Sequence, residues 1–183
     1  MNKILGHLKT IIKHKHYVFL NCCKAGLYWR GIKHDMSKFH PIEFCESVKY
    51  FTGTRSPIDL CKEENGYSAA WMHHKGRNSH HYEYWVDYLD DGGKPVQMPY
   101  KDALEMICDY IAAGRAYKGK DFSYADEYDG FWKLKKSKPI KMHDQTKAFV
   151  DMMLLTMKLE NSNDVLRRSR SYRIYKQIER EVQ

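Results

Sequence analysis

Residues 101–117 read KDALEMICDYIAAGRAY, the plainest helical stretch in the chain. Its apolar residues recur at helical spacing, yet a carboxylate, Asp109, sits in the middle of the run 106–113. A carboxylate that faces a core must be paired or metal-bound. Glu105 and Ala112 lie one turn away on the same face, with Ala116 beyond, which leaves room for another element to approach. Alone, Asp109 reads equally as a solvent-facing or ion-paired side chain.

Working outward, the same periodicity recurs. Residues 4–19 carry Ile4, Leu5, Leu8, Ile11, Ile12, Val18 and Phe19 on one stripe, flanked by His7 and His14 on one side and His16 on the other. A second helical stretch spans 22–32. A third opens at Pro41 and stops at Thr52-Gly53, and 53–67 reads as a loop. Ser68 can cap a short helix over 69–75, broken at Gly76, and Ser79 can cap another that runs through Leu89. Residues 90–95, DDGGKP, form a turn, and 118–142 are aromatic, charged and irregular. Asp144 is the expected N-cap of a helix to about Leu159, and Asp164 opens a last one. No repeat or strand ladder emerges. The expected fold is all-α: one helical domain over 1–160, and a basic amphipathic helix over 161–183 packed on it.

Composition narrows the function. With 43% hydrophobic and 30% charged residues and only 11 Gly and 5 Pro in 183, the chain is neither disordered, collagen-like nor of low complexity. No apolar run nears the roughly 18 residues of a membrane helix, and the opening MNKILGHLKTIIKHKH is too charged for a signal peptide. No membrane association is expected. The formal charge of +8 suits anionic partners, although it is spread like a solvated surface. Five cysteines without a C-x-x-C pair argue against a disulfide framework or zinc ribbon and fit a reducing, cytoplasmic setting. The anomaly is histidine: ten in all, four of them within 73–81.

Two segments gather metal-ligand chemistry. His34-Asp35 ends a helix and is followed by Met36-Ser37-Lys38; imidazole and carboxylate together suit divalent transition metals. A second pair, His143-Asp144, reads as a helix cap. In WMHHKGRNSHHYEYW, 71–85, two His-His pairs flank a break and can converge on a metal from two directions. A zinc finger would need cysteines, and H-E-x-x-H a glutamate between histidines. Asn78, placed in the left-handed conformation, is expected to bend the segment so that His74 and His80 face the cavity of His34, Asp35 and Asp109, with His73 further away.

The order His14, His34-Asp35, His74, His80 or His81, Asp109, with Lys38 three after Asp35, resembles the HD superfamily of metal-dependent phosphohydrolases and its HD-x-x-K motif. More narrowly, GIKHDMSKFHPIEF (31–44), AWMHHKGRNSHHYEYW (70–85) and MPYKDALEMICDYIAAG (98–114) resemble a small bacterial HD-like family, from about 10 to 160. The resemblance implies His14, His34, Asp35 and Asp109 as ligands of a first metal, and His74, His80 and His81 as holding a second. Lys38 would contact phosphate. One or two divalent ions are implied, with Mn, Fe, Zn, Co and Ni not distinguished.

The expected function is hydrolysis of a phosphate ester, a nucleotide foremost. Asp35 would bridge the metals and orient water, and Lys38, Lys75 and Arg77 would neutralise developing charge. Two alternatives stand beside it. One is a di-iron oxygenase on the same fold, with a lid of aromatics from 117–132. The other is a non-enzymatic, metal-stabilised module that binds nucleic acid or a partner through the basic helix 164–183.

Overall fold

The structure, a computed structural model, describes residues 2–87 and 92–182. Helix α1 (Lys3–Ala25) is opened by the Asn2 side chain, which accepts the Ile4 N–H, and is closed by Gly26 in the left-handed region. That cap moves the expected boundary: the helix begun near residue 4 runs to Ala25, and a separate α2 (Tyr28–Lys33) follows. Gly31 lets α2 cross α1 closely, since a Cβ there would sit 2.8 Å from Cys22 Cβ. The crossing carries the end of α2, where His34 and Asp35 lie, back alongside α1.

A 3₁₀ turn (Met36–Phe39) leads into α3 (Pro41–Lys49), with His40 as N-cap and Pro41 in the first turn. The stretch 53–67, expected as a loop, contains α4 (Pro57–Asn65). Its helical signals are Pro57 at the first position, Asp59 in the first turn and Gly66 as a left-handed cap. α5 (Ala69–Lys75) is capped by Ser68, which accepts the Trp71 N–H. The helix expected after Ser79 is absent among the described residues. A 3₁₀ turn (Tyr82–Trp85) leads to a two-residue strand, β1 (Val86–Asp87), antiparallel to β2 (Lys94–Pro95). The Ser79 hydroxyl, instead of capping, donates to Asp102 at 2.5 Å. The expected helix end at Leu89 and the start of the turn at 90–95 lie outside the described residues.

α6 (Tyr100–Lys118) is the central element. Ala103, Leu104, Met106, Ile107, Cys108, Ile111 and Ala112 are all fully buried, as expected of a helix covered on every side. α1 packs along one side of it. The region 118–142 is irregular only at 122–123 and 137–142: between them α7 (Tyr124–Asp126) continues through a π-helical turn (Glu127–Trp132) into α8 (Lys133–Lys136). Burial explains it, because Tyr124, Tyr128 and Trp132 enter the core and the Trp132 indole donates to Asp151 at 2.8 Å. α9 (Asp144–Glu160) covers another side of α6, with His143, not Asp144, as its N-cap: the imidazole Nδ1 accepts the Gln145 N–H. Asp164 opens only a 3₁₀ turn (Asp164–Leu166), and α10 (Arg168–Glu181) follows. α10 packs on α9 through Tyr175 and Ile178, and the Tyr175 hydroxyl donates to Met98 O at 2.8 Å. No helix among the described residues is long and apolar enough to cross a membrane.

Within the π turn, Glu127 is buried against Gly114 of α6. Burial raises its carboxyl pKa to about 7, opposed by Lys118 and reinforced by Asp109 and Asp126. The folded state therefore binds the proton more tightly than the unfolded chain, so this residue's contribution to stability declines as pH rises through about 7. Glu127→Gln is expected to stabilise the protein by about 1–3 kcal/mol at pH 8 and by almost nothing at pH 4, as read from paired denaturant titrations.

A candidate metal centre

Four stretches of chain deliver side chains to one point. α1 supplies His14 from its buried stripe, and α6 supplies Asp109. His34 ends α2 in an extended conformation, and Asp35 then takes the left-handed region at φ 53°. Aspartate tolerates that conformation better than most residues. The reversal turns His34 and Asp35, both at most 2% exposed, into the space between α1 and α6. α5 and the segment after it supply His74, His80 and His81.

Asp35 is the hub. Its Oδ2 lies 3.3 Å from His34 Nε2 and 3.7 Å from His14 Nε2. Its Oδ1 lies 3.3 Å from both His74 Nε2 and His80 Nε2. Asp109 Oδ1 closes the first group, 3.0 Å from His14 Nε2 and 3.6 Å from His34 Nε2. His81 closes the second, its Nε2 2.9 Å from His74 Nε2. Two four-residue sets of donor atoms result, each within 4.8 Å: His14, His34, Asp35 and Asp109, and Asp35, His74, His80 and His81; a third set, His34, His80 and Glu105, links one histidine of each. Asp35 belongs to both four-residue sets.

A ring of acidic groups holds the imidazoles from behind. Glu105 Oε1 lies 2.9 Å from His34 Nδ1 and 3.4 Å from His80 Nδ1. Glu43 Oε2 lies 2.7 Å from His74 Nδ1 and its Oε1 2.5 Å from His73 Nδ1. An ionised carboxylate only accepts, so the Nδ1 atoms of His34, His74 and His80 carry protons and their Nε2 atoms face Asp35. Arg30 fixes Glu105 in turn, bonding it at 2.7 Å and Asp102 at 2.9 Å. Burial alone would raise the Glu105 pKa, but bonds to His34 and His80 hold it well below the usual range. Burial likewise opposes ionisation of Asp35 and Asp109, and the charges of His34 and Lys38 beside Asp35, with the His14 and His34 side chains against Asp109, hold both carboxyl pKa values well below the usual range.

These donor sets fit a metal by a second criterion. Burying a polar atom without a hydrogen bond costs roughly 1–3 kcal/mol, so native proteins leave few. Among the described residues, seven such side-chain atoms occur, and five are in this cluster: His14 Nε2, His34 Nε2, His80 Nε2 and both Asp35 oxygens. All five belong to residues that could ligate a metal, and apart from close ion pairs nothing among the described residues satisfies them. The buried groups can hold a metal ion.

The residues expected from sequence divide as follows. His14, His34, Asp35, His74, His80, His81 and Asp109 come together; His16 is exposed, and His143 caps α9 away from the site. His73 pairs with Glu43 instead of facing Asp35. Lys38 reaches the hub, its Nζ 2.6 Å from Asp35 Oδ2. Lys75 and Arg77 do not line the cavity beside Asp35. Arg77 is exposed and lines a shallow depression on the far side of His34 and His80. Asn78 is not left-handed; its side chain bends the segment by donating to His74 O at 2.8 Å and Ser37 Oγ at 2.9 Å, and Asp35 is the left-handed residue. Sequence reading missed Glu43, Asp102 and Arg30 and gave Glu105 no role. Only Glu105 left a signal there, one turn before Asp109 on its face.

If the outer carboxylates set imidazole orientation, Glu105→Gln should weaken metal affinity about 10- to 100-fold while the fold persists. Chelator competition measures this, and an unchanged affinity would remove Glu105 from the centre.

Among known proteins, a family model described as a family of unknown function, DUF5662, matches residues 3–156, which include every residue of the cluster. No curated protein and no solved structure matches the chain.

Proposed function

We propose that this chain, which belongs to the DUF5662 family, is a metal-dependent phosphohydrolase of HD type that cleaves phosphate esters at a two-metal centre built on Asp35. The observation that carries this reading is the sharing of Asp35: its two oxygens address two separate histidine groups, each with unsatisfied inward-facing donors. The HDMSK run and the ligand order support the HD assignment.

Divalent ions bound there would lower the pKa of a coordinated water toward about 7 and polarise the phosphoryl oxygens. The protein's own groups do the rest. Asp35, fixed by its backbone and 1% exposed, sets the spacing of the two halves. Burial would discharge Lys38, but Asp35 and Asp109 keep it protonated, so it can meet a phosphoryl oxygen at the cavity edge. Trp71 packs edge-on against His81 at 4.9 Å and bounds the cavity that shields the reaction from bulk water. The water oxygen bonds to phosphorus as the ester P–O bond breaks, and the proton released by water ends on the leaving alcohol.

The test is hydrolysis by protein reconstituted separately with Mn, Fe, Zn, Co and Ni, using an aryl phosphate and a panel of phosphate esters that includes nucleotides. Turnover with at least one metal, abolished by chelator, is the expected result. No phosphate release from any of them would end this reading. Substrate-dependent oxygen uptake by the ferrous protein would replace it with an oxygenase.

A further inference from the structure

The cavity beside Asp35 extends well past the ligands. It holds about 210 Å³, and its far end is lined by His7, Thr10 and Ser47. His7 lies two helical turns before His14, about 10 Å along α1. It is 7% exposed, and its Nδ1 is buried with no hydrogen-bond partner among the described residues. The ring packs against Phe44 and Phe51, with centroids 5.4 and 5.5 Å away, so it has little freedom to turn. Nothing in the metal centre uses this histidine.

We infer, resting on the phosphohydrolase reading, that the substrate is a compact phosphate ester of a small hydroxylated alcohol rather than a nucleotide, and that His7 recognises a hydroxyl on its leaving group. Volume argues first. Pockets for drug-sized ligands start near about 300 Å³, and the phosphoryl group beside Asp35 and Lys38 would take part of the smaller space here. What remains inside accommodates a few carbons, and a base with its sugar would have to project beyond the cavity. The boundary is firm at Trp71, whose ring stacks on His74 and carries Lys62 Nζ over it at 4.5 Å. Chemistry argues second. The walls are apolar at Ile11, Ile58 and Ala113, which suits a carbon skeleton. The His7 imidazole, which lines the cavity, then offers one directional bond about 10 Å from the metal end. Burial, with Lys38 nearby, lowers the His7 pKa to about 4, so the ring stays neutral and reads a hydroxyl rather than a second anionic group.

Binding separates this inference from the activity it rests on. Metal-loaded protein is titrated calorimetrically with 2,3-dihydroxypropyl phosphonate, propyl phosphonate and a nucleoside phosphonate, none of which is hydrolysed. The diol should bind about tenfold tighter than the propyl compound, and the nucleoside compound more weakly than either. His7→Phe should erase the diol's advantage, leaving propyl affinity and metal content unchanged, and His7→Gln should restore part of it. Should His7→Phe not fold, Ala113→Leu, which fills the cavity from the opposite wall, should weaken both small ligands about tenfold with metal retained. Tightest binding by the nucleoside compound, or equal loss of both small ligands in His7→Phe, would overturn the inference. If the binding pattern holds but no ester is hydrolysed, the recognition by His7 stands and the phosphohydrolase reading falls.

Discussion

Asp35→Asn is expected to empty both halves of the centre at once and to reduce phosphate-ester hydrolysis by about a thousandfold or more. No other residue of the cluster is shared between the two donor sets. Asparagine suits the left-handed backbone at residue 35 nearly as well as aspartate, so the variant removes charge and ligand without adding backbone strain. Asp35→Ala would mix the two effects, since alanine there costs about 1–2 kcal/mol of conformational strain. Single-group variants should be milder. His81→Ala should deplete only the second set, and Asp109→Ala only the first. Elemental analysis of the three purified variants checks the pattern. Retention of full metal by Asp35→Asn would mean that Asp35 is not the bridge.

Removal of metal should also loosen the protein. Ligands come from α1, the end of α2, α5 with the following segment, and α6, so the centre adds a polar joint to elements of which α1, α2 and α6 already pack through the apolar core. Without a cation between them, Asp35 and Asp109 sit together as buried like charges offset only by protonated histidines and Lys38. A ligand present at about 1,000 times its Kd stabilises the native state by about 4 kcal/mol. For a domain of this size, that is a Tm shift of about 8–16 °C. Chelator-treated protein should melt lower by that amount, with recovery on adding metal. His34→Ala and Asp109→Ala should lower Tm and metal content together. His143→Ala and Asp144→Ala should leave metal content intact; His143, as the observed cap of α9, should cost about 1 kcal/mol and Asp144 less.

Legibility varied with the kind of physical signal. α6 was readable because its apolar periodicity is long, and α5 because Ser68, the short run and Gly76 agree with one another. The ligand residues were readable as a set, since clustered histidines and an aspartate inside an apolar helix require an explanation. The failures have different causes. The helix through Glu127–Trp132 was missed because tertiary burial of Tyr128 and Trp132, not local pattern, holds it in place, whereas α4 carries start and stop signals at Pro57, Asp59 and Gly66 in a stretch whose Gly, Pro and Asn read as a loop. Ser79 looked like a cap but bonds Asp102, 23 residues away. Asn78 was expected to bend the chain by its backbone and does so by its side chain. Glu43 and Glu105 were illegible as a set, because such groups are defined by the imidazoles they touch, and Asp102 because it acts through Arg30 and Ser79. Lys75 and Arg77 were placed near the site by sequence proximity alone, and helical geometry turned them away from the cavity.

The shared carboxylate makes a stoichiometric demand. Protein purified without chelator or histidine tag, then saturated with a single transition metal and desalted, should retain two ions per chain, and the two should be lost together in Asp35→Asn. One ion in the native protein, undiminished by His81→Ala, would reduce the centre to the His14, His34 and Asp109 half. No retained metal at all would contradict the account.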